Sequence, residues 1–255
     1  MPDKSLGQHW LKDRLVLEAI TDSADIMPSD TVLEIGPGLG TLTSVLLGRA
    51  GAVEAVEFDP ELARKLPGQF PGKKLTVINQ DILSYDFSHL PSNFKVVGNI
   101  PYYITNKIVR KISEGPVRPF SATLLVQKEV AERLAAQAGD MSILAISAQV
   151  YSEVKLGIVV PREYFTPAPK VDSQVVILKT RDTPLITVDQ EKQFFRVVKA
   201  GFSAKRKKLR SSLAGGLGME KTAVETLLSR AGISPDARAE DLSIEEWLRI
   251  ARSND

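Results

Sequence analysis

Residues 31–59 read TVLEIGPGLGTLTSVLLGRAGAVEAVEFD, and this stretch decides the fold class. Its first part, residues 31–36, is a short apolar run that predicts a β-strand, and residues 52–59 predict a second strand. Between the two strands a glycine-rich turn leads into residues 41–50, whose apolar spacing predicts a helix. A strand, a helix and a strand in this order are typical of a parallel sheet that helices cover.

The same alternation continues through the first two thirds of the chain. It predicts strands at residues 75–81, 94–99, 122–128, 156–160 and 174–178, and helices at residues 60–66 and 104–113. A proline-rich segment separates the last two strands and is too constrained for a tight hairpin, so we expect it to lie over a sheet edge or a pocket. We therefore predict an α/β fold with a mostly parallel, Rossmann-like sheet.

The last quarter of the chain shows helical periodicity without strands. Helices are predicted at residues 190–200, 205–217, 222–231 and 243–252. In the last of these, Ser243 and Glu246 form a capping box ahead of an apolar stripe that includes Trp247. We therefore predict two domains, an α/β domain at residues 1–181 and a small all-α domain at residues 182–255.

The composition excludes several classes of protein. Of the 255 residues 43% are hydrophobic and 25% are charged, as in an ordinary globular domain. No apolar run approaches the ~18 residues of a membrane helix, and the first residues carry no secretion signal, so we expect a cytoplasmic protein without a membrane partner. With no cysteine and two histidines, we predict neither a thiol nucleophile nor a metal site. No feature indicates an oligomer, so we expect a monomer.

The charge is balanced overall but not along the chain. The sequence has 33 Lys and Arg residues against 31 Asp and Glu residues, a net charge of +2. Within residues 192–210, however, eight basic residues occur without an acidic one. This segment is the candidate surface for an anionic partner. The alternative is a solvated helix face with no partner.

The glycine-rich turn indicates a ligand site. Gly36 and Gly38 follow the first predicted strand, where missing side chains let a ligand approach the backbone beside a helix N-terminus. The turn departs from the dinucleotide pattern G-x-G-x-x-G because Thr41 stands where the third glycine would be. Glu57 ends the second strand, where it can accept hydrogen bonds from ribose hydroxyls, and Asp81 ends the third, where it can meet an adenine amine. Together these residues predict a nucleotide-like ligand.

A second candidate site follows the fourth strand, in the sequence Asn99-Ile100-Pro101-Tyr102. The Asn99 side chain and the carbonyl of Ile100 or Pro101 can accept hydrogen bonds from an exocyclic amine. Pro101 fixes the turn, and Tyr102 offers a ring on which a planar base can stack. The turn suits an extruded adenine. Alternatively, it is an ordinary strand-to-helix connection with a core tyrosine.

These motifs closely resemble the ribosomal RNA adenine N6,N6-dimethyltransferase family, whose members use S-adenosylmethionine. The matching segments are SLGQHWLKD at 5–13, LEIGPGLGTLT at 33–43, VEFD at 56–59, QDIL at 80–83, NIPYYIT at 99–105, LLVQKEVAERL at 124–134 and FTPAPKVDS at 165–173. The resemblance covers essentially the whole chain. It implies an S-adenosylmethionine-dependent methyltransferase domain followed by a helical RNA-docking domain.

The resemblance also implies roles for individual residues. The cofactor site that it implies contains Gln8, His9, Leu11, Gly36, Gly38, Glu57, Asp81, Ile82 and Asn99. The catalytic pocket that it implies contains Asn99, Pro101, Tyr102 and Phe165, with the rings of Tyr102 and Phe165 on the two faces of the target base. The RNA-docking residues that it implies are Lys205, Arg206, Lys207, Lys208 and Arg210. Lys107, Arg110 and Lys111 follow the Asn99–Tyr102 turn and are either further RNA contacts or plain surface.

Within this family, bacterial members dimethylate two adjacent adenosines in a hairpin near the 3′ end of small-subunit rRNA. The resemblance therefore implies small-subunit rRNA and the precursor of the small ribosomal subunit as partners, and a role in ribosome biogenesis. Three alternatives stay open. They are an adenine methyltransferase of large-subunit rRNA, a nonenzymatic ribosome-assembly or transcription factor, and a nicotinamide oxidoreductase, which Thr41 disfavours.

Overall fold

The computed structural model describes residues 9–204 and 206–254. Within these residues the strands are β1 (Trp10–Leu11), β2 (Thr31–Ile35), β3 (Ala52–Glu57), β4 (Leu75–Asn79), β5 (Lys95–Asn99), β6 (Ser121–Gln127), β7 (Ser152–Val160), β8 (Phe165–Thr166) and β9 (Ser173–Thr180). The helices are α1 (Arg14–Ser23), α2 (Thr41–Leu46), α3 (Pro60–Lys65), α4 (Thr105–Glu114), α5 (Lys128–Leu134), α6 (Ile143–Gln149), α7 (Val188–Gly201), α8 (Leu209–Leu217), α9 (Lys221–Arg230) and α10 (Ile244–Ser253). Gln8 and Lys205, two predicted site residues, lie outside the described residues.

Seven strands form one mixed sheet in the order β4-β3-β2-β5-β6-β9-β7. The strands from β4 to β6 in this order pair in parallel, whereas β9 pairs antiparallel with both β6 and β7. The predicted α/β fold with a Rossmann-like, mostly parallel sheet is confirmed. Strand order reverses between β2 and β5, which is where ligands bind in open α/β sheets.

The central strands of the sheet are buried on both faces. Val32, Leu33 and Ile35 of β2 are almost completely buried, as are Val96 and Val97 of β5. Strands that helices cover on both sides read as continuous apolar runs, which is why the sequence pattern identified them.

The proline-rich segment pairs with the start of the described chain. β8 runs antiparallel to β1, so that Trp10 lies opposite Thr166 and Leu11 opposite Phe165. Next to this pair, Nδ1 of His9 lies 2.7 Å from the carbonyl oxygen of Pro167. This two-stranded sheet was not predicted from the sequence.

The chain divides into two compact units. The first contains the large sheet and consists of the described residues up to Glu132 together with Ser152–Arg181. The second consists of Arg133–Tyr151 and the described residues from Asp182 onward. The sequence analysis assigned residues 133–151 to the α/β domain, whereas in the structure α6 buries Ala145 and Ile146 in the core of the helical unit. No described helix is long and apolar enough to cross a lipid bilayer.

The helical unit has its own core around Trp247, whose buried ring stacks on Phe202 with centroids 5.5 Å apart. The predicted capping box of α10 is present, because the Glu246 amide donates to Ser243 Oγ (3.2 Å) and the Ser243 amide donates to Glu246 Oε2 (2.8 Å). The predicted helix at residues 205–217 was wrong at its start. α8 begins at Leu209 because Lys208 has an extended backbone, with φ −62° and ψ 149°.

Candidate active site

A cavity of about 380 Å³ opens at the carboxyl edge of the large sheet. It lies beside the ends of β2, β3 and β5, and its volume falls in the range of small-molecule sites. The predicted residues that line it are His9, Leu11, Gly36, Gly38, Glu57, Asp81, Ile82, Asn99, Pro101 and Tyr102. The structure thus brings the residues of the two motifs that the sequence analysis treated separately into one cavity.

Gly36 and Gly38 shape one wall of the cavity. Their φ angles are +67° and +56°, a region in which any other residue is strained. A Cβ atom on Gly36 would meet no atom within 4 Å, so the backbone is open on that side. A Cβ atom on Gly38 would come within 3.8 Å of the Trp10 ring. A ligand can therefore approach this turn closely at Gly36.

Glu57 is held rigidly at the end of β3. Its Oε2 accepts from the Gly38 amide (2.9 Å) and its Oε1 accepts from the Asp59 amide (2.8 Å). Burial raises the pKa of Glu57, and these two hydrogen bonds oppose the rise. Each carboxylate oxygen keeps a second lone pair, so this fixed group can still accept hydrogen bonds from a ligand diol.

Glu34 is a buried carboxyl group of the cavity wall that the sequence analysis did not single out. It is 1% exposed, and neither of its oxygens accepts a hydrogen bond of standard geometry from the described residues. Burial raises the pKa of Glu34 to about 8, with the Thr43 hydroxyl and amide opposing the rise and the charge of Glu57 adding to it. A buried carboxyl group without partners either keeps a proton or receives a cation.

Asp81 and Ile82 stand after β4. Asp81 is exposed, and its Oδ1 accepts from the Leu83 amide (2.9 Å), which orders the turn. The Ile82 side chain is buried beside it and forms part of the apolar wall. This pairing of a carboxylate with an apolar surface suits a purine, which has a polar edge and apolar faces.

Asn99 ends β5 and contacts residues 9–11, which line the cavity. Its Nδ2 donates to the carbonyl oxygen of His9 (3.0 Å). Because a carbonyl only accepts, this bond fixes the orientation of the amide and leaves Oδ1 as an acceptor. Residues 9–11 are held at a second point, where Thr41 Oγ1 donates to the Leu11 carbonyl oxygen (2.8 Å).

The carbonyl groups after Asn99 differ in their availability. The Pro101 carbonyl oxygen accepts from the Ile104 amide (3.2 Å) and from Thr105 Oγ1 (3.3 Å). No described residue donates to the Ile100 carbonyl oxygen. Of the two carbonyl groups that the sequence analysis considered, Ile100 is therefore the one available to a ligand amine.

Tyr102 is half-buried and held at both its hydroxyl and its ring. The hydroxyl lies 2.7 Å from Ser173 Oγ, and burial raises the pKa of Tyr102, so the group stays protonated at neutral pH. The His9 ring stacks on Tyr102 with centroids 5.7 Å apart and planes inclined by 26°. A base that stacks on Tyr102 must use the other face of the ring or displace His9.

The structure does not bring Phe165 to the cavity. Phe165 is 4% exposed, lies in the apolar core and sits opposite Leu11 in the β1–β8 pair. In this arrangement the ring cannot cover the second face of a base, as the sequence analysis expected.

The residues that line the cavity without having been predicted as cofactor or catalytic residues include Phe58, Tyr103 and Lys107. Phe58 is 58% exposed and Tyr103 is 61% exposed, and Lys107 lies one helical turn after Tyr103. Each aromatic residue directly follows a predicted one, in VEFD and in NIPYY, which was the available signal. Exposed rings at the mouth of a cavity offer stacking surfaces for planar ligands.

We call the predicted RNA-docking residues of the helical unit the basic cluster. Fewer of its described charges are available to a partner than the sequence suggested. Lys208 pairs with Asp236 (3.0 Å), and Arg210 pairs with Glu225 (3.3 Å) and Asp236 (3.6 Å). Arg206 and Lys207 are exposed, and neither forms an ion pair with the described residues. The described cations available to an anionic partner in this cluster are therefore Arg206 and Lys207.

Comparison with known proteins gives a consistent result. The family model described as ribosomal RNA adenine dimethylase matches residues 2–255. A protein of Dehalococcoides mccartyi named ribosomal RNA small subunit methyltransferase A is 43% identical over 251 residues, which cover 97% of this chain and 86% of that protein. A protein of the same name from Streptococcus pneumoniae is 40% identical over 262 residues, covering 97% and 90% of the two chains.

Solved structures resemble the chain over nearly its whole length. A dimethyladenosine transferase from Plasmodium falciparum superposes with a TM-score of 0.82 at 27% identity, covering 95% of this chain and 96% of the other. The 23S rRNA methyltransferase ErmE superposes with a TM-score of 0.79 at 32% identity, covering 96% and 98%. The fold is therefore shared by an enzyme named for 23S rRNA and by one whose name gives dimethyladenosine as its product without naming an rRNA.

Proposed function

The chain belongs to the ribosomal RNA adenine dimethylase family, as its motifs predicted, and on that premise we propose that it dimethylates N6 of two adjacent adenosines in the 3′-terminal hairpin of small-subunit rRNA. The methyl donor is S-adenosylmethionine. The observation that carries the proposal is the single cavity that joins the glycine turn and Glu57 to the Asn99–Tyr102 turn. One part of this cavity suits a nucleoside cofactor, and the other suits an extruded adenine.

The residues present fit S-adenosylmethionine. The fixed carboxylate of Glu57 suits the ribose diol, and Asp81 beside Ile82 suits the adenine. The open backbone at Gly36 leaves room for the methionine part. This part carries positive charge, which favours ionisation of the buried Glu34 carboxyl group; without a bound cation, burial raises the pKa of Glu34 to about 8 and the group keeps its proton at neutral pH.

When bound, S-adenosylmethionine supplies an electrophilic methyl group on a positively charged sulfur. The protein contributes by aligning the two reactants, and good alignment lowers the activation barrier by roughly 7 to 11 kcal/mol. Before the first transfer, Asn99 Oδ1 and the Ile100 carbonyl oxygen are the acceptors that hold the two N6 hydrogens of the target adenine. Each transfer releases one N6 proton to water, so the monomethylated amine keeps one hydrogen for one of these acceptors. Because adenine N6 is a weak nucleophile, hydrogen bonds that favour a pyramidal nitrogen raise its reactivity. Asn99 is thus a positioning and electronic group, and no residue is assigned the role of a strong base.

The target base must leave its helix or loop stack to enter the cavity, at a cost of a few kcal/mol. Stacking on an aromatic ring contributes roughly 1 to 3 kcal/mol per base and offsets this cost. Tyr102 is suited to this role because its hydroxyl group is fixed on Ser173. In the helical unit, the Arg206 and Lys207 side chains dock RNA phosphates of the small-subunit precursor, in the cytoplasm.

Purified small and large ribosomal subunits that lack the modification test the proposal. After incubation with the protein and S-adenosylmethionine, mass spectrometry of nuclease digests should find N6,N6-dimethyladenosine in the 3′-terminal hairpin of small-subunit rRNA only. Modification confined to large-subunit rRNA would contradict the proposed substrate. No modification of either subunit, with binding to small subunits retained, would contradict the proposed reaction and favour a nonenzymatic assembly factor.

A further inference from the structure

The mouth of the cavity carries an aromatic ring and a cation that the reaction described above does not use. Tyr103 and its neighbour Tyr102 lie in one turn, but Tyr102 is half-buried and bonded to Ser173, whereas Tyr103 is 61% exposed. No described residue forms a hydrogen bond or ring contact with Tyr103. An exposed aromatic ring beside a ligand cavity offers a stacking surface to a planar ligand.

Lys107 lies four residues after Tyr103 and lines the same cavity. It also borders a second, open groove of about 360 Å³ along α4, together with Arg110, Lys111 and Glu114. The cavity mouth and this groove therefore meet at Lys107.

The other cations of α4 are engaged. Arg110 donates to both carboxylate oxygens of Glu114, with the shortest N–O distance at 2.8 Å. Lys111 donates to the Leu83 carbonyl oxygen (3.2 Å), and its ammonium group lies 4.8 Å from the centre of the Phe87 ring. Lys107 is exposed and forms no ion pair with the described residues, so its charge is available to a ligand.

We propose that Tyr103 and Lys107 form a nucleotide subsite that holds the RNA neighbour of the target adenosine, its base stacked on Tyr103 and its phosphate at Lys107. A stacking ring next to a free cation is the combination by which proteins hold single-stranded nucleic acid. The inference rests on the proposed function, because the neighbour is then the second adenosine to be modified. The subsite keeps that adenosine extruded while the first one reacts.

Two variants and their conservative partners test the subsite on the full-length protein. In steady-state reactions with unmethylated small subunits as the varied substrate, Tyr103→Ala should lower kcat/KM about 10-fold, whereas Tyr103→Phe should keep it. Lys107→Ala should make the plot of log affinity against log salt less steep by about 0.7, the value for one phosphate on a single strand, and Lys107→Arg should restore the slope. The S-adenosylmethionine affinity of every variant, measured by calorimetry, should equal that of the parent.

A fluorescent base reports the subsite directly. In a hairpin RNA with two adjacent adenosines, one adenosine is replaced by 2-aminopurine, which lacks the N6 amine and cannot be the methyl acceptor. Both placements are made, so that in each the remaining adenosine takes the reactive position. The parent protein should quench 2-aminopurine fluorescence by stacking in at least one placement, and Tyr103→Ala should not.

The outcomes separate the subsite from the proposed function. If the parent methylates small-subunit rRNA but Tyr103→Ala and Lys107→Ala match it in kcat/KM, salt slope and quenching, the subsite is wrong and the function stands. If the parent methylates neither subunit, the function fails whatever the variants do. Arg110→Gln is the matched control on the same helix, and because Arg110 is already paired with Glu114, its salt slope should stay at the parent value.

Discussion

Glu34 couples the stability of the protein to pH. Its pKa is about 8 in the folded protein against an ordinary value of 4.5, so the folded state binds this proton more tightly than the unfolded state. The contribution of Glu34 to stability is therefore fully present below pH 4.5 and is lost as the pH rises to about 8. At about 1.4 kcal/mol per pKa unit, its upper limit is on the order of 4 to 5 kcal/mol.

The variant Glu34→Gln should remove this dependence, because an amide of nearly the same shape does not titrate. We expect the unfolding free energy of the parent protein to fall more steeply than that of the variant between about pH 5 and pH 8. Urea unfolding at several pH values measures the unfolding free energies of the parent protein and the variant. Parallel curves for the two proteins would mean that Glu34 does not titrate in this range.

Tyr102 is predicted to act through its ring more than through its hydroxyl group. Tyr102→Phe removes the hydrogen bond to Ser173, which is worth about 1 kcal/mol, and should slow methyl transfer less than 10-fold. Tyr102→Ala also removes the stacking surface and should slow it by a further factor of about 10 to 100. Single-turnover methylation of small subunits measures both rates. Equal rates for the two variants would show that the ring does not hold the base.

At the scale of elements, β5 depends on a buried ion pair at its first residue. Lys95 Nζ lies 2.8 Å from Asp30 Oδ2, with the two side chains 8% and 9% exposed. Lys95 also donates to the carbonyl oxygen of Asp25, which has a φ of +48°. The ion pair joins the start of β5 to the loop before β2. It thereby positions β5, whose last residue, Asn99, lies at the cavity.

Removal of one partner alone should be costly. Lys95→Met leaves the Asp30 carboxylate buried without its cation, and we expect a loss of about 3 to 5 kcal/mol in the free energy of unfolding. The double variant with Asp30→Asn removes the stranded charge and should recover at least half of that loss. Urea unfolding tests this, and a loss below about 1 kcal/mol for Lys95→Met would show that the pair is unimportant.

The central strands of the large sheet could be predicted from the sequence because they are buried on both faces and so form continuous apolar runs, whereas the edge strands β4 and β7 are partly exposed. Helix α1 also left a signal that was not used, since Asp13 caps it by accepting from the Val16 amide (3.0 Å), and Leu17 and Ile20 are its buried face. The β1–β8 pair could not be predicted. Its strands have two residues each, and their pairing joins parts of the chain about 150 residues apart.

The cavity was predictable where its residues end strands, because the carboxyl ends of parallel strands share one edge of the sheet. This rule located Glu57, Asp81 and Asn99. It could not show that Glu34 is buried without partners or that Phe165 faces the core, since both facts depend on tertiary packing.

At the scale of the whole molecule, the basic cluster shows how sequence distance hides ion pairs. Residues 192–210 contain no acidic residue, yet Glu225 and Asp236 are brought to Lys208 and Arg210 by the fold of the helical unit. The free charge is therefore smaller than the sequence indicates. Among Arg206, Lys207, Lys208 and Arg210 the free charge lies in the turn before α8, whereas the exposed cations of α7 form no ion pair with the described residues and are Lys192, Arg196 and Lys199.

Two pairs of residues in the cluster should therefore contribute unequally to RNA binding, with the unpaired Arg206 and Lys207 contributing more than the ion-paired Lys208 and Arg210. The double variant Arg206→Ala with Lys207→Ala should weaken RNA binding and make its log–log salt dependence less steep by up to about 1.8, the value for two phosphates on a duplex. Lys208→Ala with Arg210→Ala is the matched control and should change the slope by less than half as much. Salt titrations of binding to small subunits measure this, and the reverse order of the two effects would contradict the assignment.

The central claim is that Asn99 aligns an extruded adenine with the methyl donor in the cavity at the carboxyl edge of the sheet. The measurement that tests it most directly is the single-turnover rate of N6,N6-dimethyladenosine formation by Asn99→Ala at saturating S-adenosylmethionine, with the cofactor dissociation constant measured on the same sample. We predict a rate at least about 100-fold below that of the parent, with cofactor binding within a few-fold of it. An unchanged rate would contradict the account.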